Sequence, residues 1–88
     1  GAGGNIGAEA VAKSPADAAR WFREAAAAGD VGAQYLLASM YEQGDGVARD
    51  LRLARYWYGI AAQNGDEAAP GKVKELDAQL APAQAQGS

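Results

Sequence analysis

The sequence contains no cysteine, histidine or threonine, and its only serines are Ser14, Ser39 and Ser88. Without cysteine there is no disulfide and no thiolate nucleophile, and without histidine the commonest metal ligand and general base are missing. Most hydrolytic mechanisms therefore lack their reactive groups. We expect a protein that is not an enzyme, with no catalytic residues, no metal site and no cofactor.

The chain is also short and poor in large apolar side chains. Of its 88 residues 49% are hydrophobic, but 23 are alanine. A chain of this size buries only about 60–65% of its unfolded surface, so its stability depends on close helix packing or on neighbouring units. The net charge of −3 argues against a nucleic-acid partner. There is no run of 18 apolar residues, so we expect no direct membrane insertion.

Four segments carry the start and stop signals of helices. A polar cap precedes each one, and glycines end the first three. The predicted helices run from Pro15 to about Ala28, from Val31 to Gln43, from Leu51 to about Asn64 and from Glu67 to about Leu80, with caps at Ser14, Asp30, Asp50 and Asp66. Because the loops span only about two to six residues, consecutive helices must run antiparallel.

The sequence repeats itself after 36 residues. Trp21 aligns with Trp57, and Gly29-Asp30 aligns with Gly65-Asp66. A period of this length with two helices per unit predicts an all-α fold, the αα-hairpin solenoid, in which each hairpin buries its apolar face against the next.

Composition divides the chain into three parts. Residues 1–13 are rich in glycine and alanine and are expected to be a flexible lead-in or a tag remnant. Residues 14–81 form the helical repeat domain. Residues 82–88 carry no large apolar side chain and are expected to be a disordered tail.

Three segments carry a family resemblance: Leu37 to Tyr41, Gly44 to Asp50 and Ala54 to Gly65. In this order they resemble the L-G-x-x-Y, G-x-G-V-x-x-D and A-x-x-W-Y-x-x-A-A-x-x-G patterns of the Sel-one-like repeat, a relative of the tetratricopeptide repeat. The resemblance covers one full unit, 31–66, with the second half of the unit before it and the first, capping helix of the next. Ala38 replaces a glycine of the family pattern, and Leu53 replaces a lysine.

The motif residues are expected to build the scaffold. Small residues let helix backbones approach, aromatic rings fill wider gaps, and loop glycines permit positive φ. The residues assigned to this role are Leu37, Tyr41, Gly44, Gly46, Val47, Ala54, Trp57, Tyr58, Ala61, Ala62 and Gly65. Both tryptophans are expected to pack in the core.

One candidate surface for a partner lies on the second helix. Tyr35, Ser39 and Glu42 lie opposite its inward face. In solenoids of this kind the first helix of each hairpin lines the concave surface, which favours these residues as the recognition site. The fourth helix is expected to turn Lys72 and Lys74 outward, on a convex surface.

A second candidate lies on the third helix, where Leu53, Tyr56 and Ile60 form an apolar stripe. The same positions one repeat earlier are polar. Either the fourth helix covers this stripe, which we favour, or the stripe binds a partner and promotes weak self-association.

The resemblance implies a module that binds a protein or peptide, as in bacterial adaptors and scaffolds, which are often proteins of the cell envelope. The alanine-rich composition is compatible with a bacterial source. We therefore favour a non-catalytic protein-binding module, the C-terminal part of a larger scaffold protein, in the bacterial periplasm or cell envelope over the cytoplasm. Two alternatives stay open: a glycan- or peptidoglycan-binding module that stacks tyrosines on sugar rings, and a purely structural capping or dimerisation unit.

Overall fold

The computed structural model describes residues 14–81, and this part of the chain is built from helices alone. The four helices are α1 (Pro15–Ala27), α2 (Val31–Gln43), α3 (Leu51–Gln63) and α4 (Ala69–Leu80). Each helix packs against the next along the chain. The predicted all-α hairpin solenoid is confirmed.

The first three helices begin at the predicted caps. The side chain of Ser14 accepts a hydrogen bond from the backbone N–H of Asp17 at 3.2 Å, and Asp30 accepts one from Ala33 at 2.9 Å. Asp50 accepts two, from the backbone N–H groups of the second and third residues after it. These bonds satisfy amide groups that have no partner inside the helix, which fixes where each helix starts.

The fourth helix begins later than predicted. Asp66 accepts hydrogen bonds from the backbone N–H groups of Ala68 and Ala69, but the helix starts only at Ala69. Had it started directly after Asp66, Pro70 would occupy a position whose N–H must bond to the carbonyl of Asp66. Proline has no N–H, so the start moves until Pro70 lies in the first turn.

The core consists of a few large side chains among many alanines. Leu37, Tyr58 and Leu76 are the largest fully buried side chains. The buried alanines lie on all four helices and are Ala19, Ala26, Ala33, Ala38, Ala54, Ala61 and Ala69. Because alanine has a short side chain, neighbouring helices can approach closely with little apolar volume between them.

One buried polar side chain connects three parts of the fold. Gln34 is 2% exposed. Its amide nitrogen donates to the carbonyl oxygen of Ala26 at 3.1 Å, and its amide oxygen accepts from the side chain of Asn64 at 3.0 Å. A buried amide without partners would be costly, so these bonds hold α2 in register with the ends of α1 and α3.

The two tryptophans differ in their environment. Trp57 is half-buried and packs against the core, but Trp21 is 46% exposed, so the prediction that it packs in the core is wrong. The physical reason is its neighbourhood. Among the helices of the described residues α1 packs mainly against α2, whereas α3 packs against both α2 and α4.

None of the helices within residues 14–81 is both long enough and apolar enough to cross a membrane.

Candidate binding surface

The three candidate residues on α2 lie around one buried tyrosine of α3. The hydroxyl of Tyr58 donates a 2.7 Å hydrogen bond to Oε1 of Glu42. The ring of Tyr35 meets the ring of Tyr58 edge to face, with centroids 5.1 Å apart. The Ser39 hydroxyl accepts a hydrogen bond from the side-chain amide of Gln43 at 3.3 Å, and its effect on Tyr58 is to lower the pKa of that hydroxyl. Tyr35, Ser39 and Glu42 are all half-buried, so the structure brings together three residues that the sequence placed on one face.

A lysine of α4 completes this group. The ammonium nitrogen of Lys72 lies 3.3 Å from Oε1 of Glu42 and 5.7 Å from the ring centroid of Tyr58. It also pairs with Glu75, one turn further along α4, at 3.6 Å. The prediction that Lys72 stands on a convex, solvent-facing surface is therefore wrong. Its side chain reaches back to α2 and links the first helices of two successive hairpins, while Lys74 is exposed.

We call Tyr35, Ser39, Glu42, Tyr58 and Lys72 the α2–α4 cluster. Sequence reasoning had assigned Tyr58 to the scaffold and Lys72 to the outer surface. The 36-residue period could have indicated the position of Lys72, because Lys72 in α4 is equivalent to Leu36 in α2. That position lies on the side of the first helix that meets the preceding repeat.

Protonation in the cluster follows from burial and charge. Burial raises the pKa of the Tyr58 hydroxyl, and the hydrogen bond to the Glu42 carboxylate and its negative charge raise it further. For Lys72, burial lowers the pKa, but the hydrogen bond and charge of Glu42 outweigh burial, so the net pKa is raised. Tyr58 therefore stays a neutral donor, and Lys72 stays a cation.

The cluster can donate and accept hydrogen bonds and presents the side of an aromatic ring. These are groups that recognise peptide backbone and polar side chains. Between residues 14 and 81 there is no group of three or more Asp or Glu side chains arranged to hold a metal ion.

The apolar stripe on α3 is open to solvent. Leu53 is 38% exposed and Tyr56 is 57% exposed, and Ile60 is half-buried. The expectation that α4 covers this stripe is wrong. The fourth helix meets the side of α3 that carries Tyr58, and two residues along a helix correspond to a rotation of about 200°, so α4 leaves Tyr56 uncovered.

The scaffold residues occupy two kinds of environment. Leu37, Tyr41, Ala54, Tyr58 and Ala61 are buried. Val47, Trp57 and Ala62 are half-buried and pack against them. The glycines of the set, Gly44, Gly46 and Gly65, all have positive φ.

Comparison with known proteins identifies the repeat. The family model for the Sel1 repeat matches residues 5–30 and 31–66. The second match is the full unit that the motifs indicated, and the first begins within the segment expected to be a lead-in. The question of whether residues 1–13 are a lead-in lies outside the described residues.

A curated relative is the chitin synthase regulator SKT5 of Saccharomyces cerevisiae, which is 40% identical over 77 residues, or 86% of this chain. The match spans only 11% of the length of the yeast protein. A yeast relative gives no support to the bacterial source that composition favoured. No solved structure matches the chain. Since the two repeat matches together span most of the sequence and its motifs lie at the predicted positions, the chain belongs to the Sel1 repeat family.

Proposed function

We propose that this chain is a non-catalytic module that binds a short segment of a partner protein across the α2–α4 cluster, as one part of a larger scaffold protein. Repeats of this family mediate protein interactions, and the yeast relative is named as a regulator of an enzyme, chitin synthase. A regulator that carries such repeats is expected to act through protein contacts.

The observation that carries the proposal is the hydrogen-bonded contact of Glu42 with Tyr58 and Lys72. It joins α2 and α4, the first helices of successive hairpins, so their relative position is fixed before any ligand arrives. Preorganisation of this kind reduces the entropy lost on binding. Tyr35 lies beside this contact with part of its ring accessible, as expected of an aromatic anchor.

The test uses a peptide selected from a phage-displayed random library against this chain, with its Kd measured by fluorescence polarisation. Tyr35→Ala should weaken binding by about tenfold or more, because an aromatic anchor is lost. Since the ring also packs on Tyr58, the variant should be less stable as well, and its Kd is measured at a temperature where circular dichroism shows it fully folded. Tyr56→Glu is the matched control, since it changes an exposed tyrosine on α3, and it should leave the Kd unchanged. Loss of binding in Tyr56→Glu with normal binding in Tyr35→Ala would show that the partner uses the other surface.

The exposed stripe of Leu53 and Tyr56 supports a second candidate function, self-association through α3. Sedimentation velocity over a range of concentrations tests it directly. A mass that rises with concentration in the wild type, but not in Tyr56→Glu, would favour the dimerisation unit over the peptide-binding module. In the same peptide assay, chitin oligosaccharides serve as a probe for the glycan alternative, and competition by the sugar that depends on Tyr35 would favour it.

A further inference from the structure

A cavity of about 430 Å³ lies where the loop between α2 and α3 meets α1. Its apolar lining includes Tyr41 in the last turn of α2, Val47 in the loop and Leu53 on α3. Tyr41 is buried, Val47 is half-buried and Leu53 is exposed. No residue of the α2–α4 cluster lines this cavity, so it is a separate surface from the one proposed above.

Three arginines surround the apolar lining, and we call the whole site the arginine cavity. Arg20 and Arg23 come from α1, and Arg49 comes from the loop before α3. They are three of the eight basic residues of the chain, and all three are exposed. Within residues 14–81 none of them pairs with an acidic side chain. The acidic residue in the lining, Asp50, already accepts two backbone hydrogen bonds as the cap of α3. The cavity therefore concentrates positive charge on a chain whose net charge is −3.

Arg49 is held in place by the backbone of α2. Its Nε donates a hydrogen bond to the carbonyl oxygen of Glu42 at 3.0 Å. This bond uses one of the five N–H groups of a guanidinium and leaves those of the two terminal nitrogens as donors. Because the side chain is already positioned, it loses less conformational entropy when it binds an anion.

The two arginines of α1 are not part of the repeated scaffold. Adding 36 to Arg20 and Arg23 gives Tyr56 and Gly59, and neither of these is charged. At the same offset Trp21 returns as Trp57. Packing between hairpins thus does not require a basic side chain at these two positions, which favours a role for the two charges in recognition.

We propose that the arginine cavity binds an acidic segment of a partner protein, whose carboxylates pair with the three arginines while a neighbouring apolar side chain packs on Val47 and Leu53. A guanidinium can donate two parallel hydrogen bonds to one carboxylate. Since the arginines lie on two sides of the cavity, several carboxylates along one segment fit them better than a single anion does. The proposal does not depend on peptide binding at the α2–α4 cluster.

Fluorescence polarisation tests the proposal with two synthetic peptides of equal length. The probe alternates glutamate and leucine, and the comparison peptide carries glutamine in place of every glutamate. The wild-type chain should bind the probe and not the glutamine peptide, and added NaCl should weaken this binding, because the paired charges lie near solvent. Arg20→Gln/Arg23→Gln should weaken binding of the probe by about tenfold, because two charged hydrogen-bond donors are lost. No binding of the probe by the wild type, or equal binding of both peptides, would overturn the proposal.

The matched control is Arg52→Gln/Lys74→Gln, which removes the same charge from exposed positions outside the cavity and should leave the Kd of the probe unchanged. Circular dichroism should show both variants fully folded, because all four side chains are exposed. Equal weakening in the two variants would indicate attraction to the overall charge and would overturn the proposal. Binding of a phosphoserine peptide but not of the probe would also overturn it, and would assign the cavity to a phosphorylated segment. A mass in sedimentation velocity that rises with concentration in the wild type, but not in Arg20→Gln/Arg23→Gln, would assign the cavity to a second copy of the chain instead.

Discussion

The hydroxyl of Tyr58 on α3 donates a 2.7 Å hydrogen bond to Glu42 on α2, and the same carboxylate pairs with Lys72 on α4. One acidic side chain thus joins three consecutive helices at a place where Tyr58 is only 1% exposed. Neither Tyr58 nor Lys72 was assigned to a binding surface from the sequence. Their contact with Glu42 makes the candidate surface part of the packing between repeats, and stability and binding are therefore coupled there.

Removing the hydroxyl of Tyr58 should destabilise the fold. Tyr58→Phe keeps the ring but leaves the half-buried Glu42 carboxylate with one hydrogen-bond donor fewer. Because the bond is made to a charged group, we expect a loss of about 1–2 kcal/mol in the free energy of unfolding, measured by urea titration. Tyr41→Phe is the control, since Tyr41 is also buried and no hydrogen bond of its hydroxyl is seen within residues 14–81. Equal losses in the two variants would contradict the assigned role of the bond.

The same tyrosine should make stability fall at high pH. Burial first, and then Glu42, raise the pKa of Tyr58 in the folded state above the ordinary value near 10. The contribution is therefore fully present below about pH 10. Above it the unfolded chain loses a proton that the folded chain keeps, so the free energy of unfolding falls as pH rises, by at most about 1.4 kcal/mol per pH unit for this group.

Chemical denaturation at several pH values between about 8 and 11 measures this decline. This range extends from below to above the ordinary tyrosine pKa, which is near 10. Tyr58→Phe should have a shallower decline. Lys72 also has a raised pKa and contributes in the same direction, so some decline should remain. An unchanged slope in Tyr58→Phe would show that other groups cause it.

Truncating a leucine should cost the most stability where its side chain is fully buried. Leu37 is 0% exposed and Leu53 is 38% exposed. Leu37→Ala should lower the free energy of unfolding by about 2–5 kcal/mol, because it removes buried methyl groups and leaves a cavity. Leu53→Ala should change it by roughly 0.5 kcal/mol or less. Thermal unfolding followed by circular dichroism compares the two variants, and a larger loss in Leu53→Ala would contradict the observed packing.

Two glycines should respond to alanine in opposite ways. Gly46 has φ +80°, and a Cβ there would lie 2.2 Å from the carbonyl oxygen of Pro15. Gly46→Ala should therefore be strongly destabilising, since both the backbone and the contact with α1 must shift. Gly71 lies within α4 and a Cβ there would meet nothing within 4 Å. Gly71→Ala should raise the free energy of unfolding by about 0.5–1 kcal/mol. Denaturant titration measures both variants, and a Gly46→Ala variant more stable than Gly71→Ala would contradict the prediction.

Much of the fold could be predicted from local signals. Ser14, Asp30 and Asp50 cap helices because a short polar side chain next to a free backbone N–H favours a helix start wherever it occurs. The start of α4 was predicted at Glu67, two residues before its observed start at Ala69. Asp66 was taken as the cap, but a helix that starts directly after Asp66 needs a backbone N–H at Pro70, which proline lacks. The repeat was visible because its period and motifs are properties of the sequence alone.

Less of the candidate surface could be predicted. The sequence placed Tyr35, Ser39 and Glu42 on one face of α2 because helical spacing requires it. It could not show that Tyr58 and Lys72 approach the same carboxylate. These contacts join residues 16 and 30 positions apart, and they depend on how adjacent helices lie against one another.

The sequence by itself therefore determined the four helices, the caps of the first three, the 36-residue period and the family. Each of these depends on residues that are close in the chain or separated by a fixed repeat. The tertiary structure alone decided that Trp21 is exposed, that α4 leaves Tyr56 uncovered, and that Lys72 points back to α2. Burial and pairing of a side chain depend on its neighbours in space, and for a helix at the end of the described solenoid those neighbours are fewer than the repeat pattern suggests.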